Sequence, residues 1–153
     1  MNRIVLFLTV ILFTLFHMPV QAQTTEDSVK AAVNQLFTGM KNADATLVTT
    51  AFADSAVLQT IGRDKDGNNF IRNERVSDFA DFIRTQKKDA ADERIQFETV
   101  KIDGPLAIVW TPYKFYYNGQ FSHCGVNSFQ LVRLKGQWKI QYLIDTRRRQ
   151  GCE

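Results

Sequence analysis

The sequence predicts an α+β fold in which three helices near the N-terminus pack on one face of a curved antiparallel sheet. In the first half of the chain, apolar residues recur every three or four positions, the spacing of one helical face. After residue 95 they alternate with period two, which is typical of strands with one buried side. Two dipeptides with turn chemistry, Asn118-Gly119 and Lys135-Gly136, divide this second half into hairpins.

Three helices are predicted from the helical pattern. The first carries its apolar face over residues 29–40 and has capping residues around Thr25. The second covers residues 45–52, with Asp44 as its cap, and the third covers residues 76–86. The first two should form a helical hairpin.

The predicted strands begin with a short segment at residues 56–60, which is followed by a loop rich in Asp, Gly and Asn over residues 62–69. Pro112 cannot donate to a strand ladder, so it predicts an edge position or a bulge. The remaining predicted strands cover residues 95–100, 106–117, 121–134 and 137–146.

Residues 1–22 have the composition of a cleaved secretory signal. Arg3 precedes an apolar run over residues 4–16, and Val20-Gln21-Ala22 suits a signal-peptidase site. The run is much shorter than the roughly 20 residues of a spanning helix, and no cysteine follows it, so we expect no stable membrane anchor. We expect cleavage after Ala22, a secreted or periplasmic protein, and a single domain over residues 23–153.

The charge of the chain does not indicate a nucleic-acid partner. The formal net charge is +3, and removal of Arg3 with the signal would leave +2. The dense basic run Arg147-Arg148-Arg149 fits a solvated strand end or an anion-binding site. The sequence has no phosphate-binding or dinucleotide-binding motif, and residues 64–68 lack the spacing of a calcium loop. We therefore expect neither a cofactor nor a metal ion.

The two cysteines, Cys124 and Cys152, both follow the predicted signal. In an oxidising compartment they could form an intramolecular disulfide. The alternative is one thiol buried in the sheet and one loose thiol near the C-terminus.

The final hairpin predicts a ligand cavity. If Lys135-Gly136 is a two-residue turn, the register places Tyr142 opposite Phe129, with polar residues farther along the same face. An apolar base with a polar rim suits a small-molecule pocket. The candidate ligand-binding residues on this face and on the preceding strand are Trp110, Tyr113, Phe115, His123, Asn127, Phe129, Tyr142, Thr146 and Arg148.

The opposite face of this hairpin mixes apolar and polar residues, which suggests a subunit interface. A bulge would exchange the two faces beyond it. On this face Asp145 and Arg147 could form a salt bridge, within the chain or across a dimer axis. His123 and Cys124 point to opposite faces, so they should not form a thiol–imidazole pair. His123 could be satisfied by the backbone or could hydrogen-bond to a ligand.

The order of these elements, with Trp138-Lys139-Ile140 in the last strand, resembles the nuclear transport factor 2-like superfamily. The runs Ser122-His123-Cys124-Gly125, Asp145-Thr146-Arg147-Arg148 and Gly151-Cys152 resemble its small bacterial branch known as "putative lumazine-binding" or SnoaL-like proteins. The resemblance covers about residues 25–152. It implies a cone-shaped, cystatin-like roll, usually dimeric, with a deep pocket between helices and sheet.

Three functions are compatible with these features. The first is an exported, non-catalytic binder of a small, partly aromatic molecule, forming a homodimer through its sheet. The second is an enzyme of the isomerase or dehydratase kind, as in SnoaL or ketosteroid isomerase, with His123 or Asp145 as acid or base. The third is a protein-interaction module of the cell envelope.

Overall fold

The computed structural model describes residues 24–152 and confirms the predicted α+β fold. Three helices lie on one side of a curved, open sheet of seven strands. The predicted signal peptide, residues 1–22, lies outside the described residues. Over residues 24–152, the helices are too short or too polar to cross a membrane.

The helices begin at side chains that cap them. Thr24 and Asp27 form a reciprocal capping box at the start of α1, one residue before the predicted cap. The Asp44 carboxylate accepts hydrogen bonds from the backbone of Thr46 and Leu47, at 2.9 and 3.0 Å, which starts α2 as predicted. The helices are α1 Thr25–Asn42, α2 Ala45–Ala51 and α3 Val76–Arg84.

The sheet has the strand order β2-β1-β7-β6-β5-β3, and β4 pairs with β5 beyond β3. All paired strands are antiparallel except β1 and β7, which are parallel, so the sheet is mixed. The strands are β1 Phe52–Arg63, β2 Asn69–Glu74, β3 Ala91–Ile95, β4 Thr99–Asp103, β5 Leu106–Tyr117, β6 Gln120–Leu134 and β7 Gln137–Arg148.

The strands at the margins of the sheet differ from the predicted ones. Residues 95–100 do not form one strand, because residues 96–98 bulge between β3 and β4 opposite Thr111 and Pro112, although Gln96 and Glu98 still donate backbone hydrogen bonds to β5. Strand β2 was not predicted, since its apolar residues are few and it lies at the sheet edge. Both errors concern the margins of the sheet, where side-chain patterns are least regular.

The predicted register of the last hairpin holds near its turn and then fails. Leu134 pairs with Gln137 and Leu131 pairs with Ile140, as predicted. A bulge at Gln141 then shifts the register, so that Phe129 faces Leu143 instead of Tyr142. The side-chain amide of Gln141 donates a hydrogen bond of 3.0 Å to the Ser55 carbonyl of β1, and this bond stabilises the bulge. Every residue of β7 beyond Gln141 therefore lies on the face opposite to the one predicted.

The hydrophobic core lies between the helices and the turn-proximal part of the inner sheet face. Phe129, Leu131 and Ile140 are fully buried there. The ring of Phe129 meets that of Phe37 from α1 edge-on, with centroids 6.2 Å apart. This packing keeps α1 on the sheet and leaves the other end of the inner face for polar residues.

Candidate functional site

A cavity of about 380 Å³ lies between the helices and the inner face of the sheet. Its volume falls within the roughly 300–1,000 Å³ of small-molecule pockets. Side chains of α1, α3 and the sheet form a mainly apolar wall, which comprises Leu36, Phe37, Met40, Leu58, Phe79, Phe82, Ile83, Ala91, Phe115, Tyr117 and Leu143.

The same cavity has a polar part that β2, β3, β6 and β7 supply. It includes both acidic and basic side chains, namely Arg72, Glu74, Glu93, His123, Asn127, Asp145 and Arg147. A mainly apolar wall with a few convergent polar groups is the usual form of a ligand site.

Asp145 is the most completely hydrogen-bonded group of the site. The Thr60 hydroxyl donates to its Oδ1 at 2.6 Å. The Tyr113 hydroxyl and Arg147 Nε donate to Oδ2, at 3.1 and 2.8 Å. The carboxylate is only 6% exposed, and such donors are needed because a buried charge without partners is costly. The Asp145–Arg147 salt bridge that the sequence suggested is therefore present within the chain.

Gly125 makes room for the Tyr113 ring beside Asp145. A Cβ atom at this position would lie 1.8 Å from the Thr146 carbonyl oxygen and 2.8 Å from Tyr113 Cε1. Burial and the negative charge of Asp145 raise the pKa of the Tyr113 phenol. The hydroxyl therefore stays protonated and acts as a hydrogen-bond donor.

Glu93 of β3 is a second carboxyl group in the cavity. Its Oε1 accepts a hydrogen bond of 2.8 Å from Asn127 Nδ2. Burial raises the pKa of Glu93 from 4.5 to about 7, and the charge of Asp145 acts in the same direction. At neutral pH this group can therefore both give and take a proton.

We expect the raised pKa of Glu93 to make the free energy of unfolding fall as pH rises from 4.5 to about 7. The folded chain holds this proton more tightly than the unfolded chain, so the contribution is complete below pH 4.5 and is lost as pH passes about 7. Urea denaturation of the wild type and Glu93→Gln across this range measures the effect. The free energy of unfolding of Glu93→Gln should not show this fall. If the wild type and the variant lost the same stability as pH rises from 4.5 to about 7, the raised pKa of Glu93 would be contradicted.

His123 lies against the rings of Tyr113 and Phe115, with centroid distances of 5.7 and 5.0 Å. Burial lowers the pKa of its imidazole, and the Arg147 charge lowers it further. Nδ1 lies 3.1 Å from the Ser122 hydroxyl. A neutral imidazole at the cavity wall can offer a donor or an acceptor to a bound molecule.

The structure brings some of the sequence-predicted ligand residues to the cavity and separates others from it. Phe115, His123 and Asn127 line it, Tyr113 reaches its polar part through Asp145, and Phe129 lies in the adjacent core. Four candidates are on the outer face of the sheet or its end, contrary to the prediction: Trp110, Tyr142, Thr146 and Arg148.

The bulge at Gln141 explains most of these displacements. It turns Tyr142, Thr146 and Arg148 outward and brings Asp145 and Arg147 inward. The Tyr142 hydroxyl instead donates to Gln59 on the neighbouring strand, at 2.7 Å. Trp110 pairs with Ser128 on the outer face and is 44% exposed.

Glu93 is the main site residue that the sequence reasoning missed. It alternates with Ala91 and Ile95, so the period-two pattern of these residues would have placed it on an inward face. Thr60 and Arg72 could not be found in this way, because their position depends on the pairing of β1 with β2 and β7.

The two cysteines form a disulfide that joins Cys124 of β6 to Cys152 beyond β7. The thiol–imidazole pair is therefore absent, as expected from the strand alternation. Within residues 24–152, no group of three or more His, Cys, Asp or Glu side chains is arranged to hold a metal ion.

Solved nuclear transport factor 2-like structures share the fold of this chain. One such protein of unknown function from Shewanella baltica OS155 superposes with a TM-score of 0.63 at 16% identity, over 79% of this chain and 91% of its own. Another from Methylobacillus flagellatus KT gives 0.62 at 15% identity, over 80% and 90%. A cystatin-like domain of unknown function from Nostoc punctiforme PCC 73102 gives 0.62 at 16% identity, over 82% and 79%.

Residues 24–142 match the family described as "Putative lumazine-binding". The chain belongs to this family. No curated protein matches it in sequence.

Proposed function

We propose that this chain is an exported, non-catalytic protein that binds a small, partly aromatic molecule in the cavity. The observation that carries the proposal is the cavity itself, about 380 Å³ in volume, with apolar walls and convergent polar groups. The rings of Phe37, Phe79 and Phe115 can pack against an aromatic ligand, and Glu93 and Asn127 can orient its polar edge. The family description makes lumazine, a flat bicyclic heteroaromatic molecule, the first compound to test.

Two features support export. One is the signal peptide predicted over residues 1–22. The other is the Cys124–Cys152 disulfide, since such bonds persist mainly in oxidising compartments. Mass spectrometry of protein from the periplasm or culture medium should find Gln23 as the first residue, and an unprocessed N-terminus would contradict export.

We expect the cavity to bind lumazine or N-phenyl-1-naphthylamine, a neutral aromatic fluorophore, and Ala91→Leu to weaken that binding about tenfold. Ala91 is fully buried in the cavity wall, so a larger side chain would occupy ligand space. Fluorescence titration measures both affinities.

The matched control is Ala31→Phe, because Ala31 is exposed on α1 and does not line the cavity. Its affinities should equal those of the wild type, and thermal unfolding confirms that Ala91→Leu still folds. A wild-type chain that binds neither compound would overturn the proposal.

We further propose that two copies associate through the outer sheet face. That face carries exposed Val57, Ile108 and Trp110, which are 43–44% accessible, and Lys101 of the edge strand β4 pairs with Ile108. Exposed apolar side chains on a sheet surface are suited to burial against a second copy. Trp110→Glu should shift sedimentation from dimer to monomer, and a wild-type chain that sediments as a monomer would exclude this arrangement.

A second function, proton transfer to a bound carbon acid, is favoured by the Glu93 carboxyl. Its pKa of about 7 matches the value expected of a general acid or base at neutral pH. Of the residues first considered from sequence for this role, His123 and Asp145 both line the cavity near it. The Tyr113 hydroxyl and Arg147 could stabilise negative charge in such a reaction.

Solvent deuterium exchange into cyclohexanone, followed by NMR, tests this second function. The wild type should accelerate exchange and Glu93→Gln should abolish the acceleration. Glu74→Gln is the control, because Glu74 also lines the cavity but has no part in the Glu93–Asn127 pair. If the wild type did not accelerate exchange, proton transfer would be excluded, and ligand binding would remain the proposed function.

A further inference from the structure

An open groove rich in arginine adjoins the cavity at the ends of β1, β2 and β7. The described residues that line it include five arginines and no carboxylate: Arg63, Arg72, Arg147, Arg148 and Arg149. Among residues 24–152, only Arg147 of these five forms a salt bridge, with Asp145. The groove therefore concentrates positive charge on one side of a chain whose formal net charge is only +3.

The groove and the cavity share two residues, Arg72 and Arg147. Arg72 lies on β2 opposite Thr60, and Arg147 Nη2 donates to the Thr60 hydroxyl at 3.1 Å. The two arginines thus lie on the strands on either side of Thr60, and both line the cavity and the groove. A molecule that fills the cavity would bring one end to these two arginines.

An aromatic ring also lines the groove. The Phe70 ring lies over Gly62 of β1, where a Cβ atom would be 2.5 Å from Phe70 Cζ. Phe70 is 48% exposed, so it adds an apolar surface among the arginines without filling the groove. Arginine guanidinium groups are suited to carboxylate, sulfonate and phosphate groups, which can accept two parallel hydrogen bonds.

We propose that the ligand is an amphiphilic anion, whose apolar body occupies the cavity and whose carboxylate, sulfonate or phosphate group binds Arg72 and Arg147. This assignment rests on the proposed binding function and specifies its ligand class. Asp145 holds Arg147 through Nε, which leaves guanidinium N–H groups for the anion. Arg63, Arg148 and Arg149 add favourable charge around the bound group.

The test uses two fluorophores with the same aromatic body. One is 1-anilinonaphthalene-8-sulfonate, and the other is N-phenyl-1-naphthylamine, which lacks the sulfonate. The mature, disulfide-bonded wild type should bind the sulfonate at least about tenfold more tightly, as expected for charge-assisted hydrogen bonds. This preference should shrink as salt is added.

Arg72→Gln should lower the ratio of the sulfonate affinity to the neutral-probe affinity about tenfold. The matched control is Arg133→Gln, because Arg133 is exposed next to the β6–β7 turn and lies outside the groove. It should change neither affinity. Arg72 is exposed, so its replacement should not prevent folding.

The outcomes separate this inference from the proposed function. Equal affinities for the two probes, or an affinity ratio unchanged in Arg72→Gln, would overturn the anion assignment alone. Binding of neither probe would also overturn the anion assignment, and failure to bind lumazine as well would overturn the proposed function. Phosphatidylglycerol vesicles that bind the chain without displacing the sulfonate would assign the arginines to a membrane surface and would also overturn the anion assignment.

Discussion

Replacing Gly125 with alanine should reduce the free energy of unfolding by about 3 kcal/mol or more, as expected for severe overpacking. The new Cβ atom would lie 1.8 Å from the Thr146 carbonyl oxygen, so β6 and β7 would have to separate. It would also lie 2.8 Å from Tyr113 Cε1, and displacement of that ring would break the bond from the Tyr113 hydroxyl to Asp145. Urea denaturation measures the loss of stability.

Gly104→Ala is the control for Gly125→Ala. Gly104 has a φ of +54° in the turn before β5, and no atom lies within 4 Å of a Cβ atom there. Its replacement should therefore cost only the left-handed strain of about 1–2 kcal/mol. A cost for Gly125→Ala no larger than that of Gly104→Ala would show that the strands tolerate the added atom.

Removal of the disulfide should lower the free energy of unfolding by about 3–4 kcal/mol. Cys124 and Cys152 are 28 residues apart, and the bond restricts the unfolded chain over that whole segment, which includes β7. The double variant Cys124→Ala/Cys152→Ala and the reduced wild type should lose similar amounts, measured by urea denaturation.

The comparison between these two samples separates the bond from packing. Cys124 is only 2% exposed, so the alanine variant also loses some buried contact, whereas the reduced wild type keeps both sulfur atoms. Cys152→Ser alone should behave like the reduced protein. If reduction left the denaturation midpoint unchanged, the disulfide would have no stabilising role.

The helices and hairpins could be predicted from sequence because local chemistry determines them. Asp44 caps α2 through its neighbours in the chain, whatever surrounds it. Asn118 and Gly119 both adopt positive φ, as do Lys135 and Gly136, which is what two-residue hairpin turns require. These features depend on a few consecutive residues.

The site could be predicted only in part, because its register depends on a contact distant in sequence. The bulge at Gln141 is held by Ser55, 86 residues earlier, and nothing in the local pattern of β7 reveals it. Asp145, predicted on the opposite face of the hairpin, lies in the cavity because of this bulge. The inward position of Glu93 could be inferred from the alternation of residues in β3. The positions of Thr60 and Arg72 could not, because they depend on the β1–β2 and β1–β7 pairings.

The parallel pairing of β1 with β7 has a consequence for the order of folding. Thr60 meets Asp145 across 85 residues, so this part of the ligand site cannot form until nearly the whole chain has been synthesised. Contacts between residues so far apart in sequence form slowly, since a long loop must close before they can stabilise the chain. The helical hairpin and the β5–β6 hairpin can fold first, and the ligand cavity is completed in the last step.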